Sequence, residues 1–151
     1  LRGSFSAAES KLERALAFVH GSGRPLAVME ESFHSLDIHI RIFQAIICLE
    51  TGRREDAVRL SESVLASMQQ AFKPPAGYNL TSLARLAELL LQAGDEEMAE
   101  RVLEHAYDQA RDFPTHPDAP HILDIYERLL TASKRVHELP DLKAWVRPVL
   151  L

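Results

Sequence analysis

The sequence predicts an all-α protein of about seven helices, arranged as antiparallel helical hairpins that stack on one another. Apolar residues recur every three or four positions, which is the helical period, and no Asn-Gly or Asp-Gly hairpin turn occurs. A short pattern also occurs twice, with Gly52 followed by Ala57 and Gly94 followed by Ala99. Glycine and proline gather at a few places that are predicted to be the connections. These places are residues 21–25, 74–77, 114–120 and Pro140.

Each stretch between these connections is long enough and periodic enough to form one or two helices. Glycine ends a helix by adopting the left-handed conformation, and acidic residues favour the N-terminus that follows. The predicted helices are, in chain order, Ala7–His20, Met29–Thr51, Glu55–Phe72, Leu80–Ala93, Glu96–Phe113, Ala119–Ser133 and Asp141–Val149.

One stretch of the second predicted helix also fits a strand. Leu36, Ile38, Ile40 and Ile42 alternate with polar residues, which is the period of a half-buried strand. The apolar segment continues to Leu49, which is too long for an ordinary strand, and no second strand candidate exists to pair with it. We therefore predict a helix that is apolar on two sides and lies between neighbouring helices.

The repeated pattern predicts a helical hairpin. Gly94 closes one helix, Glu96 and Glu97 open the next, and the small side chain of Ala99 allows the two helices to approach closely. The same order occurs at Gly52 and Ala57. The clearest unit runs from Leu80 to Phe113.

This unit resembles the tetratricopeptide repeat, a family of stacked helical hairpins. The upstream unit resembles it less, because Arg41, Gln44 and Ser61 stand where the family has larger apolar residues. The residues that match the family pattern in the clear unit are Leu83, Leu86, Ala87, Leu90, Gly94, Ala99, Leu103 and Ala106.

The resemblance implies a right-handed solenoid, and the chain is predicted to be a single repeat domain over residues 1–151, cut from a longer protein. Gly52 and Gly94 lie 42 residues apart, a long spacing that resembles the repeats of kinesin light chain. The first predicted helix resembles the second helix of an incomplete repeat, whose first helix would precede Leu1. The helix Asp141–Val149 would close the stack as a cap.

In such repeats the first helix of each hairpin lines a concave groove. The resemblance therefore implies a groove for a protein or peptide partner, apolar in the first unit and charged further along. The alternative for each of these residues is ordinary, with the isoleucines in the core and the charges solvating a face. The implied groove residues are His39, Ile42, Ile46, Leu49, Thr81, Ala84, Arg85, Glu88, Gln92, His121, Asp124 and Arg128.

Composition excludes some classes of function. The net charge of −5 and the lack of a basic block argue against direct binding of nucleic acid. No apolar run is long enough to span a bilayer, so no membrane association is predicted. Cys48 is the only cysteine, which favours a reducing, cytoplasmic compartment.

We found no catalytic, cofactor or metal motif in the sequence. Cys48 lies among apolar neighbours and is predicted to be a small core residue. Two groups of histidines flank an aspartate, but their spacing is not that of two ligands on one helical face. These groups are His34, Asp37 and His39, and His116, Asp118 and His121.

The sequence therefore predicts a non-enzymatic interaction scaffold, possessing no cofactor, that forms the regulatory segment of a larger protein. One alternative is a small-molecule-sensing domain of a transcription regulator or signalling ATPase. Another is self-association through the open N-terminal end of the stack, where the first hairpin lacks a partner helix.

Overall fold

The computed structural model describes residues 2–21, 27–70, 80–112 and 115–138, and within these ranges helices are joined by short turns and no strand occurs. The prediction of an all-α fold is confirmed. A single turn of 3-10 helix, Val136–Glu138, follows the last α-helix. The α-helices are α1 Arg2–Gly21, α2 Ala27–Glu50, α3 Arg54–Gln70, α4 Leu80–Gln92, α5 Glu96–Asp112 and α6 Ala119–Ala132.

Most of the predicted helix ends agree with the structure to within two residues. The exception is α1, which begins at Arg2, five residues before the predicted start at Ala7. Phe5 and Ala8 continue the apolar stripe of α1 toward its N-terminus and are both half-buried. The predicted helix Asp141–Val149 lies outside the described residues.

The helices form two compact units, Leu1–Pro74 and Pro75–Leu151. In the first unit α2 packs against both α1 and α3. In the second unit α5 packs against α4 and α6, and α4 also packs against α6. Helices that are adjacent in sequence are therefore neighbours in space within each unit, as stacked hairpins require. The single domain of the sequence analysis stays a prediction.

The ambiguous stretch of α2 is a helix. Ile38, Ile40 and Ile42 are buried, whereas Leu36 and Phe43 each keep 45% of their surface exposed. A strand would place Leu36 on the same side as the buried isoleucines, so the exposure of Leu36 reflects the helical period. Neighbours on two sides of α2 explain why its apolar pattern is nearly continuous.

Three turns of the chain share one pattern of main-chain hydrogen bonds. The nitrogen of Gly52 donates to the oxygen of Leu49, that of Gly94 to Leu91, and that of Lys134 to Thr131, at 3.0 to 3.2 Å. The residue after each turn donates to the fifth carbonyl before it, which is the Schellman closure of a helix. The left-handed position is occupied by glycine in two turns, φ 78° and 76°, and by Lys134 in the third, φ 60°.

The core of the second unit consists of the small and large apolar residues that define the predicted repeat. Burial of a leucine side chain stabilises a fold by about 1.5 to 3 kcal/mol, so this cluster holds α4 against α5. The residues of that pattern with no exposed surface are Leu83, Leu86, Ala87, Leu90, Ala99, Leu103 and Ala106.

The divergent positions of the first unit are occupied by polar residues that find partners. The hydroxyl of Ser61 is buried and donates to the oxygen of Ala57 at 2.9 Å. Arg41 donates from Nε to Oδ2 of Asp37 at 2.8 Å and from Nη1 to Oγ of Ser63 at 3.0 Å. The hydrogen bond from Arg41 to Ser63 thus connects α2 to α3, whereas the other two lie within one helix.

None of the helices in the described ranges has the length and apolar character needed to cross a membrane.

Candidate functional site

The candidate site in the second unit is a cluster of charged side chains centred on Glu88. Oε1 of Glu88, on α4, lies 3.4 Å from Nη2 of Arg128 and 3.6 Å from Nε2 of His121, both on α6. Oε2 of Glu88 lies 3.8 Å from Nη1 of Arg85. Arg128 also contacts Asp124, with Nε 3.2 Å from Oδ2. We call Arg85, Glu88, His121, Asp124 and Arg128 the Glu88 cluster.

The packing of α4 against α6 places these five residues together. Ala84 faces the core with 1% of its surface exposed, and Ile122 and Ile125 are fully buried. Because α4 packs against α6, the polar residues beside these buried ones share one surface. Glu88 is the least exposed of the cluster, at 22% of its side chain, while the other four are at least 47% exposed.

The ion pairs within the Glu88 cluster are individually weak. Ion pairs at an exposed surface contribute only about 0.2 to 1 kcal/mol each. The two arginines balance the two carboxylates, and His121 adds an imidazole ring beside Glu88. A partner that presents charged groups to this surface can therefore replace these contacts at little cost.

Two further residues of the predicted groove are exposed in the second unit. Thr81, on α4, donates a hydrogen bond from its hydroxyl to Asp118, just before α6. Asp118 in turn donates from its backbone nitrogen to Nδ1 of His116 at 3.2 Å. Gln92 lies exposed at the end of α4. Thr81 and Gln92 thus extend the polar surface along α4 on either side of Glu88.

The four predicted groove residues of the first unit lie on α2 and are mostly apolar. His39 is half-buried and stacks on Phe43, with ring centroids 6.3 Å apart and ring planes at 29°. Ile46 and Leu49 are half-buried. Ile42 is fully buried. Ile42 therefore lies in the core, as does Ala84 in the second unit. For Ile42 this is the alternative to a groove position that the sequence analysis left open.

Phe43 and Leu36 were absent from the predicted groove although both are exposed on α2. The signal was present in the sequence, since both lie on one apolar stripe of α2, seven residues apart. The family pattern gave no reason to choose that stripe. Whether the α2 residues and those on α4 and α6 form one groove stays a prediction.

Buried and half-buried polar residues of the first unit are engaged in structural contacts. Asp37 accepts a hydrogen bond from Arg41, and its Oδ1 lies 3.2 Å from Nε2 of His20 on α1. Cys48 is buried, and that burial raises the pKa of its thiol, which disfavours the reactive thiolate. Nε2 of His34 lies 3.2 Å from the oxygen of Ser67.

In the part of the chain that the structure describes, no group of three histidine, cysteine or carboxylate side chains is arranged to hold a metal ion. His39 stacks on a phenylalanine, and His121 contacts a glutamate. The histidines considered in the sequence therefore have other contacts.

Each unit also contains an open surface cavity. The cavity of the first unit, about 350 Å³, lies between α1 and α3, with Gln44 and Cys48 of α2 among its lining residues. The cavity of the second unit, about 510 Å³, is lined by Tyr107 of α5, Tyr126 of α6 and several carboxylates. The two tyrosine rings meet edge to face at 5.9 Å. Burial, with nearby Glu104 and Glu100, raises the pKa of Tyr126 to about 12.

Comparison with known proteins supports the repeat interpretation. The family model of the tetratricopeptide repeat matches residues 38–112, a range that contains α3, α4 and α5 and most of α2. No solved structure matches the chain.

The chain also matches curated proteins at low sequence identity. The chain is 28% identical over 109 residues to a 16S rRNA (guanine(1405)-N(7))-methyltransferase of Micromonospora rosea. It is 26% identical over 109 residues to the protein of the same name from Micromonospora echinospora. In both cases the match covers 72% of this chain and 39% of the relative, so the chain spans well under half the length of the relatives it matches.

Proposed function

From the tetratricopeptide repeat family match of residues 38–112, we propose that this chain is an interaction scaffold that binds a peptide or a partner protein. The observation that carries the proposal is the Glu88 cluster, in which five predicted groove residues from two helices meet at one exposed surface. Proteins of this family generally bind protein partners, and the specific partner is the finer part of the proposal.

The chemistry of the Glu88 cluster suggests the character of the partner segment. The cluster offers two guanidinium groups and two carboxylates, which suit an extended segment with charges of both signs. We propose an extended peptide that carries such charges as the partner segment.

The proposal is tested by affinity capture from cells that express the chain, followed by mass spectrometry and by direct titration of the captured partner. The double variant Arg85→Glu, Glu88→Arg reverses two charges of the cluster and should weaken binding about tenfold or more, or about 1.4 kcal/mol, because two attractive contacts become repulsive.

The control is the variant Asp56→Arg, Arg59→Glu, which reverses an ion pair of the same i, i+3 spacing on α3. This variant should bind as the unaltered chain does. The proposed function is wrong if the double variant Arg85→Glu, Glu88→Arg binds the partner with unchanged affinity. It is also wrong if no protein partner is captured.

A small-molecule sensor is the second candidate, and the cavity of about 350 Å³ in the first unit favours it. That volume lies within the range of ligand pockets. A thermal-shift screen with metabolites tests this candidate, because a ligand that binds the folded state raises the melting temperature. A ligand whose effect disappears when Gln44 is replaced by Leu would favour a sensor over a peptide scaffold.

We further propose that the chain itself does not catalyse a reaction and that it acts inside the cell. The chain matches 39% of each methyltransferase, so most of the length of those relatives has no counterpart in this chain. Incubation with 16S rRNA and a labelled methyl donor tests the first point. Transfer of label to the RNA would contradict it.

A further inference from the structure

The cavity of the first unit is built from pairs of residues on three helices. In each pair the two residues are four positions apart, which places them on the same face of the helix, one turn from each other. The pairs are Glu9 and Glu13 of α1, Gln44 and Cys48 of α2, and Asp56 and Leu60 of α3. The cavity therefore extends over about one helical turn of all three helices.

Contacts between the helices show which of these residues lie level with one another. Glu9 of α1 contacts Arg53, just beyond the end of α2, whereas His20 of α1 contacts Asp37 within α2. These contacts make α1 and α2 antiparallel. The cavity residue of α1 that is later in the sequence thus lies level with the cavity residue of α2 that is earlier.

The same holds for α2 and α3. Arg41 contacts Ser63, and His34 contacts the main-chain oxygen of Ser67, so these two helices are also antiparallel. The cavity therefore has two levels. The first level consists of Glu13, Gln44 and Leu60, and the second of Glu9, Cys48 and Asp56.

The charged residues of the second level are paired with arginines that also line the cavity. Arg53 forms an ion pair with Glu9, and Arg59 forms one with Asp56. Cys48 is buried and adds only a weakly polar thiol to this level. The two guanidinium groups thus compensate the two carboxylates of the second level.

The polar residues of the first level are not compensated in this way. Glu13 is exposed and Gln44 is half-buried, and neither has a hydrogen-bond or ion-pair partner within the described part of the chain. Leu60 is half-buried and supplies an apolar wall beside them. With three carboxylates and two guanidinium groups among its lining residues, the cavity keeps one negative charge, at Glu13.

We propose that this cavity binds a small primary amine, with its ammonium group at Glu13 and Gln44 and its apolar stem against Leu60 and Cys48. An ammonium group has three donors and no acceptor, which suits the Glu13 carboxylate together with the carbonyl oxygen of the Gln44 amide. A carboxylate of the same size would be repelled by Glu13, and both guanidinium groups already have partners. The volume of about 350 Å³ is large enough for such a ligand.

This inference rests on the small-molecule candidate for the function, to which it assigns a class of ligand. It is independent of partner binding at the Glu88 cluster, because the cavity lies entirely within the first unit.

The test is a titration of the isotope-labelled chain with n-butylamine at constant ionic strength. Binding is followed through the backbone amides and the side-chain amide of Gln44. Butanol and butanoate have the same stem and serve as the neutral and the anionic probe. The expected result is saturable shifts at Glu13, Gln44 and Leu60 with butylamine, and weaker binding of both other probes.

Glu13→Gln should weaken butylamine binding about fivefold, the effect of losing one ion pair at an exposed site. Glu13 is exposed, so the variant should fold with unchanged circular dichroism. The matched control is Glu62→Gln, which makes the same change at an exposed position of α3 outside the cavity. This control should bind butylamine as the unaltered chain does.

The inference is overturned if butylamine causes no saturable shifts at the cavity, or if Glu13→Gln binds it with unchanged affinity. Tighter binding of butanoate than of butylamine would overturn it as well. A metabolite without an amino group that binds in a Gln44-dependent manner would exclude the amine class and leave the small-molecule candidate standing. The double variant Arg85→Glu, Glu88→Arg should bind butylamine normally, so a failure of the scaffold proposal is recognised separately, by its own partner-binding assay.

Discussion

Lys134 occupies a left-handed position that two other turns give to glycine, and Lys134→Gly should therefore stabilise the second unit. A residue with a Cβ pays about 1 to 2 kcal/mol in the left-handed region. Glycine in turn costs about 0.4 to 1 kcal/mol through the greater freedom of the unfolded chain. The net effect on the free energy of unfolding is a gain of about 0.5 to 1 kcal/mol.

The reverse change at Gly94 should have the opposite sign and a similar size. A Cβ added at Gly94 meets no atom within 4 Å, so the effect of Gly94→Ala arises from its φ of 76° and from no steric clash. The expected loss is about 0.5 to 1 kcal/mol. Lys134→Ala is the control, because it removes the charge of the lysine and keeps a Cβ in the left-handed conformation.

Urea denaturation followed by circular dichroism at 222 nm measures these changes. With a slope of about 2 kcal/mol per molar urea, the midpoint should rise by roughly 0.3 to 0.5 M for Lys134→Gly and fall by a similar amount for Gly94→Ala. A fall in the midpoint for Lys134→Gly, or equal effects of glycine and alanine at position 134, would refute the reasoning from backbone conformation.

Three further changes test the packing and the electrostatics of the units. The pKa of Tyr126 is about 12 in the folded chain and about 10 in the unfolded chain. The contribution of its neutral phenol to the free energy of unfolding is therefore intact below pH 10 and is lost as the pH rises toward 12. In that pH range the stability of the unaltered chain should fall by about 2 to 3 kcal/mol more than that of Tyr126→Phe. Asp37→Ala should lower the free energy of unfolding of the first unit by about 1 to 3 kcal/mol, because Arg41 loses its carboxylate partner. The comparison is Asp124→Ala, which removes an exposed carboxylate and should change the free energy of unfolding of the second unit by less than about 1 kcal/mol. Leu103→Ala should cost about 2 to 5 kcal/mol by leaving a cavity between α5 and its neighbours, as seen in chemical denaturation, and an unchanged midpoint would show that α5 is not packed as described.

The sequence was sufficient to predict the six described α-helices, apart from the start of α1, since the helical period and the glycines at positions 52 and 94 are local signals. It was also sufficient for the core of the second unit, because that core is the repeat pattern itself. The turn at Lys134 has no such local signal in the sequence, since lysine has no preference for a positive φ. The shared hydrogen bonds of the three turns are visible only in the backbone.

The candidate site was predicted in part. Half-buried Glu88 of α4 and exposed Arg128 of α6 are adjacent, because the first helices of consecutive hairpins lie next to each other. Ile42 and Ala84 are buried, because α2 and α4 each contact neighbours on more than one side. The exposure of Phe43 depends on which side of α2 lacks a neighbour, and a single sequence does not contain that information.

Chemical-shift mapping tests the central claim, that this chain is a scaffold that binds its partner at the Glu88 cluster. An isotope-labelled sample would be titrated with a peptide from a captured partner, and the amide shifts followed to saturation. The account predicts the largest changes at Arg85, Glu88, His121, Asp124 and Arg128, and their loss in the variant with Arg85 and Glu88 reversed. Changes confined to the cavity lined by Gln44 and Cys48, with the Glu88 cluster unaffected, would contradict it.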